Sequence, residues 1–395
     1  MRILLVTHTA EIGGAEAAML RLLDAVDRRR FAPAVVSFAD GALVDALRTR
    51  GVPITVLAGG AVTRVTRREA GGAGALWRHG VGVARLAAAL RAHIAGSGFD
   101  LVAANSLKAA VVVALASPLA RRPWAWHLHD RLAADYLPAP LVVGLRLLAA
   151  VGPRVIVANS RATAATAGRG ARGKVSVAYP GLPAESFTAP RRRPRGAVGI
   201  VGRVSATKGQ REFLEAAERV ARRHPRTVFR IVGAALFDDA AVEADLRARS
   251  ARSPIADRLE WTGWVDDVPR RLRHLGVVVH ASPVPEPFGQ VVVEAMAAGV
   301  PVIATAAGGV PEILGAPEGE SIAPGVRRTP VGVLVHPGDP DALAFAIEWI
   351  LDHPAEAART ALRAHHTASR RFTIAQTAAT VQDAWARAVW QQRDA

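Results

Sequence analysis

Short, unbroken apolar runs recur along this chain, each followed by a segment with helical apolar spacing. That alternation limits the possible folds more than any other feature. In the first half, residues 3–6, 33–38, 54–57, 101–104, 124–128 and 155–157 read as strands. Residues 15–26, 42–50, 76–94 and 108–119 read as the helices between them. Runs that are apolar at every position belong to strands buried on both faces. Strand–helix–strand order then calls for a parallel sheet with helices on each side. The second half repeats the pattern, with strands at 198–201, 228–232, 259–262, 277–280, 300–305 and 331–335. Its helices fall at 210–223, 240–249, 268–275, 290–298, 310–314 and 341–351, and Ala- and Arg-rich helices follow from about 355 to 393. Between the halves, residues 183–197 (PAESFTAPRRRPRGA) mix Pro, Gly and Arg without periodicity and read as a linker. Two similar α/β halves place the expected active cleft between them.

Composition narrows the function. At 395 residues, half of them hydrophobic, two domains with sizeable cores are expected. There is no cysteine, which removes disulfides and thiolate chemistry. The opening MRILLVTHT goes straight into a strand-like run, without the pattern of a signal peptide. The longest apolar stretches, 109–120 and 137–153, are short or interrupted by Arg146, whereas a membrane span takes about 20 residues. A cytoplasmic protein is expected, soluble or peripheral at the inner face of the membrane. The net charge is +16, with 26 Lys and Arg against 11 Asp and Glu in residues 1–194 but 24 against 23 in residues 195–395. Two readings of that asymmetry stand side by side. It is the Arg-rich drift of a GC-rich genome, or the first half faces an anionic membrane or phosphorylated acceptor. Arg64, Arg67 and Arg68, in a basic Gly-rich loop at 62–74, share the ambiguity. With 20 aromatic residues and no recognition motif, nucleic acid is not an expected partner.

The richest chemistry lies in residues 282–314, SPVPEPFGQVVVEAMAAGVPVIATAAGGVPEIL. Loop, helix start, strand and glycine loop in that order bring backbone N–H groups together on an anion. Glu286 stands just before the helix and Glu294 within it, so each acid can meet a different part of one ligand. The stretch reads as a sugar-nucleotide site. Upstream, residues 202–210 (GRVSATKGQ) put Arg203 and Lys208 in a strand-to-helix loop, where they can clamp a diphosphate. A solvated basic loop is the plain alternative, although Lys208 is one of only three lysines. In the first half, Gly13 and Gly14 precede a helix in THTAEIGGAE, which suits close approach to a phosphate. His127 and His129 in WHLHD share a face if the strand continues, and with Asp130 they suggest a polar pocket wall rather than a metal site. Asn159, Ser160 and Arg161 form a third segment at a strand end, where ligands gather, with a helix cap as the plain alternative. Asp339 and Asp341 have the spacing of a Mg²⁺–diphosphate motif but read as a cap and a first-turn acid. Asp238, Asp239, Asp266 and Asp267 read as turn or cap acids. Neither the dinucleotide nor the P-loop fingerprint is present.

Taken together, GGAE at 13–16, HD at 129–130, VANS at 157–160, GRVSATKG at 202–209 and PEPFGQVVVEAMAAGVPVIATAAGGVPEI resemble glycosyltransferase family 4. Order and spacing match over nearly the whole chain. The resemblance implies an α/β fold of the GT-B kind, two Rossmann-like domains with parallel sheets facing across a cleft. It implies an acceptor-binding domain over 1–190, a nucleotide-sugar domain over 195–370, and a C-terminal helix over 371–395 that crosses back to the first domain. It also implies a retaining transfer from a nucleotide-diphosphate sugar to a hydroxyl acceptor, with no cofactor and no metal. By the same resemblance Arg203 and Lys208, with Gly202 at the turn, would bind the diphosphate. Glu286 would contact sugar hydroxyls, Glu294 the ribose, and Phe288, Gly289 and Gln290 would give backbone contacts. Gly13 and Gly14 would line the diphosphate from the opposite domain, and His129 would sit beside the transferred sugar. Domain closure would exclude water. The rival readings are a nucleotide-sugar binder without transfer activity and a GT-B-like epimerase.

Overall fold

A computed structural model describes residues 1–59, 73–187, 196–236, 239–265, 267–316 and 319–390. Arg64, Arg67, Arg68, Asp238 and Asp266 lie outside these described residues. The chain divides into two compact units. The first comprises residues 1–181 and 374–395, the second residues 182–373.

The first unit is built on seven strands: β1 (Arg2–Thr7), β2 (Ala32–Ser37), β3 (Ile54–Val56), β4 (Leu101–Ala104), β5 (Trp124–Leu128), β6 (Val155–Ala158) and β7 (Val175–Val177). They pair in the order β3-β2-β1-β4-β5-β6-β7, with every pairing parallel. The helices are α1 (Gly14–Ala25), α2 (Ala42–Thr49), α3 (Ala73–Ser97), α4 (Leu107–Leu119), α5 (Ala139–Val151) and α6 (Arg161–Thr166), together with the C-terminal α14 (Ile374–Trp390). Side-chain parity divides the strands between two cores. Leu4, Val6, Val102, Ala104, Trp124 and Trp126 face α3, α4 and α5. Ile3, Leu5, Leu101, Ala103 and Ala125 face α1, α2 and α14. The short β7 and the helices α5 and α6 are elements that apolar periodicity did not single out. α5 is apolar nearly all round, and β7 spans three half-buried residues, so neither has a strong period.

The second unit has eight strands: β8 (Ala197–Val201), β9 (Phe229–Val232), β10 (Leu259–Gly263), β11 (Leu275–His280), β12 (Val302–Thr305), β13 (Glu320–Ala323), β14 (Val326–Thr329) and β15 (Gly332–Val335). Their order is β10-β9-β8-β11-β12-β15-β14-β13. The first six are parallel, but β14 pairs antiparallel with both β15 and β13. The fully parallel expectation is therefore corrected at one edge, where a hairpin finishes the sheet. Its residues include Glu320, Arg327 and Arg328, and the alternating polarity of a strand with one solvated face is easily missed next to the apolar central runs. The helices are α7 (Gln210–Arg223), α8 (Ala240–Ala251), α9 (Val268–Leu272), α10 (Gln290–Ala297), α11 (Val310–Leu314), α12 (Pro340–Asp352) and α13 (Pro354–Arg371). α9 stops at Leu272, and Leu275 already pairs as the first residue of β11, so the helix expected over 268–275 is shorter. α7 shows why such helices form. Phe213, Leu214, Ala217, Val220 and Ala221 make one buried stripe, while Arg222 and Arg223 sit in the last turn, where cations favour the helix dipole.

Candidate active site

In the second unit the strand order reverses between β8 and β11, and ligands of open α/β sheets gather at the carboxyl ends of strands flanking such a switch. The loop after β8 carries Gly202, Arg203 and Lys208. The loop after β11 carries Glu286, Phe288 and Gly289. Sequence separation of 78 residues is thereby reduced to contact. Lys208 Nζ donates to Glu286 Oε1 at 2.6 Å and to Oε2 at 2.8 Å. Both side chains are largely buried. Burial alone would raise the Glu286 pKa, but Lys208 and then His280 outweigh it and hold the carboxyl well below the usual carboxylate range. Glu286 is thus ionised at any ordinary pH and accepts hydrogen bonds only.

Two glycines make this approach possible. A Cβ on Gly308, which has φ +66°, would lie 1.9 Å from the Glu286 carbonyl oxygen. Gly308 bridges to Glu286 in parallel fashion, and the Gly309 N–H donates to the Glu286 carbonyl at 2.8 Å. The glycine loop after β12 therefore grips the backbone of Glu286. On the other side, a Cβ on Gly209 (φ +81°) would lie 2.0 Å from the Ala281 carbonyl oxygen, so only glycine lets the lysine loop lie against the end of β11. Ser282 closes the junction by donating its hydroxyl to the Thr207 carbonyl at 2.6 Å.

Arg203 Nη1 donates to Asp239 Oδ2 at 2.5 Å. Asp239 holds the N-cap position of α8 as read, but its carboxylate makes no cap bond there and is instead the partner of the site arginine. Gln210, at the start of α7, ties the same loop down through a bond to the Arg203 carbonyl at 2.9 Å. Asp267, Asp339 and Asp341 behave as read. Asp339 caps α12 by accepting from Asp341 and Ala342 N–H, and Asp267 caps α9 by accepting from Arg270 N–H. Gly289 is the N-cap of α10, Gln290 begins that helix, and Glu294 lies one turn further, half-buried. The Phe288 ring is buried edge-on against Phe372 at 6.0 Å, which leaves its backbone to face the loop. His280 was not singled out from the sequence. It ends β11, with Nε2 3.6 Å from Glu286 Oε2 and Nδ1 3.2 Å from Thr305 Oγ1. Its place at the carboxyl end of a strand is the signal that could have found it.

In the first unit, polar groups collect at the carboxyl edge of the sheet. His129 stands just past β5, with Nε2 3.0 Å from Asn105 Oδ1, and Asn159 Nδ2 donates to the His129 carbonyl at 3.0 Å. Asn159 thus holds the histidine segment, while the helix cap belongs to Ser160, whose hydroxyl accepts from Thr163 N–H. Burial pushes His129 down to about 4 and His8 down to about 4, so both rings are neutral. His127 goes down to about 3, again by burial, and its Nε2 accepts from Trp385 Nε1 at 3.0 Å. His127 therefore serves packing against α14, by strand parity. Gly13 is the N-cap of α1 and its N–H donates to Glu16 Oε2 at 3.2 Å. Burial raises Glu16 to about 7. Thr7 Oγ1, His8 Nδ1, Asn105 Nδ2 and Asn159 Oδ1 are buried without a partner among the described residues. Asn105 and His8 were missed because single polar residues at strand ends have no motif of their own. No group of three or more metal-ligating side chains occurs among the described residues.

Two family models match the chain in succession. Glycosyltransferase Family 4 covers residues 12–186, and Glycosyl transferases group 1 covers residues 186–367. Among solved structures, the Anabaena protein HepE in complex with UDP-glucose is similar over 98% of this chain and 99% of its own, with 29% identity and a TM-score of 0.81. A 2-deoxystreptamine glucosyltransferase of Streptomyces kanamyceticus is 32% identical over 40% of this chain and 37% of its own length. A D-inositol 3-phosphate glycosyltransferase of Catenulispora acidiphila is 30% identical over 55% of this chain and 51% of its own. The matches thus span about a third to a half of these curated relatives.

Proposed function

The chain belongs to the glycosyltransferases of family 4 and group 1, with the GT-B fold, and from that premise we propose that it moves a hexosyl unit from a nucleoside-diphosphate sugar to a hydroxyl acceptor with retention of configuration. The observation that carries the reading is the Lys208–Glu286 pair at the strand-order switch. A donor places two phosphates beside a polyol, and this site places a cation beside an acceptor-only carboxylate. Lys208 and Arg203 take the diphosphate and stabilise the charge that builds on it as the glycosidic bond breaks. Glu286 accepts hydrogen bonds from sugar hydroxyls. Glu294, farther along α10, takes the ribose. Because Glu286 stays ionised, it fixes the sugar and does not deliver a proton. The acceptor hydroxyl gives its proton to the leaving phosphate. No metal is assigned a role. The unpartnered polar atoms of Asn105 and Asn159 in the first unit suit a hydroxylated acceptor.

UDP-glucose is the first donor to test, since HepE was solved with it. Thermal-shift titration against UDP-, GDP-, ADP- and dTDP-sugars is expected to stabilise the chain with one nucleotide preferred. Product analysis by NMR is expected to show retained anomeric configuration. A flat response to all four donors, or full turnover by Lys208→Ala, overturns the reading. Release of nucleotide with an epimerised, untransferred sugar favours the epimerase alternative.

A further inference from the structure

The first unit has an apolar surface that the fold leaves uncovered. In α5, Val143, Leu147 and Val151 recur every fourth residue and share one helix face, 68%, 63% and 71% exposed. The one charged residue of that helix, Arg146, turns its Nε to the carbonyls of Leu132 and Thr166. α4 packs on the same side of the sheet and repeats the spacing with Val111, Leu115 and Leu119, the last 65% exposed. Single exposed aliphatic residues are ordinary, but two such rows on helices packed against one core are not.

The α5 row ends at a basic pocket. Val151 lines a pocket of about 620 Å³ together with Arg154, Lys174, Ser176 and Arg387, and no acidic side chain lines it. Lys174 Nζ is anchored by the Ala150 carbonyl in the last turn of α5, and Arg387 Nη2 donates to Ser176 Oγ at 2.6 Å. The pocket opens at the amino ends of β6 and β7. Gly13 and His129 stand at the opposite, carboxyl edge of the same sheet, so donor and acceptor chemistry does not account for it.

We propose that this face docks on an anionic bilayer, with the rows of α4 and α5 seated at the headgroup–acyl boundary and the Arg154–Lys174–Arg387 pocket holding a lipid phosphate. A face that is apolar in its middle and cationic at its end is what interfacial binding requires. Charge selects this occupant over a second copy of the chain. The pocket that ends the α5 row is lined by Arg154, Lys174 and Arg387 and by no acidic side chain, which complements a lipid phosphate and offers a second copy of the chain no opposite charge. No helix among the described residues is long and apolar enough to cross a membrane, so the contact is peripheral. The proposal does not depend on the donor chemistry.

Co-sedimentation of the full chain with phosphatidylcholine vesicles, with and without phosphatidylglycerol, tests it. Binding is expected only with the anionic lipid and is expected to weaken with salt. Val143→Ser combined with Leu147→Ser is expected to lower partitioning about tenfold, through lost apolar insertion. Arg154→Gln combined with Arg387→Gln is expected to lower it by about tenfold or more. Both variants are expected to melt like wild type and to turn over donor in vesicle-free solution at the wild-type rate. No vesicle binding, or binding that neither variant changes, overturns the proposal. So does a dimer in sedimentation velocity that the Val143/Leu147 variant dissolves, which would make the face a self-association contact. Thermal stabilisation by inorganic phosphate that the arginine variant loses, without vesicle binding, would instead make the pocket a free-anion site.

Discussion

At the scale of single residues, the Lys208–Glu286 pair decides most of the chemistry. Removing the cation strands a buried carboxylate, which is worse than removing both charges. Lys208→Ala is therefore expected to abolish transfer and to lower stability by about 1–3 kcal/mol, the cost of leaving a partly buried acceptor unsatisfied. Adding Glu286→Gln is expected to restore stability but not activity, as denaturant melts and product assays would show. The depressed Glu286 value means that its stabilising contribution is present above the ordinary carboxylate range and is lost only in strong acid. Glu286 gives no limb to a pH–rate profile between pH 5 and 9. Glu16 is the opposite case. Burial raises it to about 7, so the fold favours its protonated form, and that stability is full in acid and lost as pH rises through about 7. Glu16→Gln, which keeps an acceptor for the Gly13 N–H, is expected to raise stability at pH 8 by about 2–3 kcal/mol. At pH 5 the gain should shrink towards zero in parallel melts. His8, His127 and His129 pull the other way. Their folded values are depressed, so the stability of the neutral rings is present above about pH 6.5 and lost as pH falls towards about 4.

At the scale of elements, the site is a product of loop contacts rather than of helices. α10 and α11 are short, and what aims Glu286 is the glycine loop after β12. Gly308→Ala would press a Cβ into the Glu286 carbonyl at a backbone angle that L-residues rarely adopt. The expected result is a loss of donor affinity exceeding about tenfold by calorimetry, with secondary structure unchanged by circular dichroism. A donor affinity equal to wild type would mean that the loop has no part in aiming Glu286. The strand and helix pattern was legible because buried parallel strands are apolar at every residue. The β13–β14 hairpin and the three-residue β7 were not, because short edge strands have too few residues to establish a period. The partner of Asp239 was missed for a related reason. Local spacing places an acid at a helix start, whereas its partner Arg203 is 36 residues away.

At the scale of the whole molecule, the chain returns to its first unit at the end. Trp385 on α14 is fully buried, stacked on His127 with ring centroids 5.8 Å apart and edge-on to Phe31 at 5.8 Å. Losing so large a buried aromatic destabilises by about 3–5 kcal/mol. Trp385→Ala is therefore expected to speed amide exchange in α1, β5 and β6. Protection in β8, β11 and β12 of the second unit should stay at wild-type levels by mass spectrometry. Uniform loss of protection in both units would contradict their description as separate compact bodies.

The amino-acid sequence by itself determined the α/β class, the repetition of that class in two halves, and the motifs that identify the family. All of these rest on local periodicity and on residues close together in the chain. Only the tertiary structure decided which polar side chains meet. Lys208 finds Glu286 across 78 residues, Arg203 finds Asp239 across 36, and Trp385 finds His127 across 258. Such pairings follow from strand order and crossover handedness, which bring distant strand ends side by side and leave no trace in the spacing of either partner.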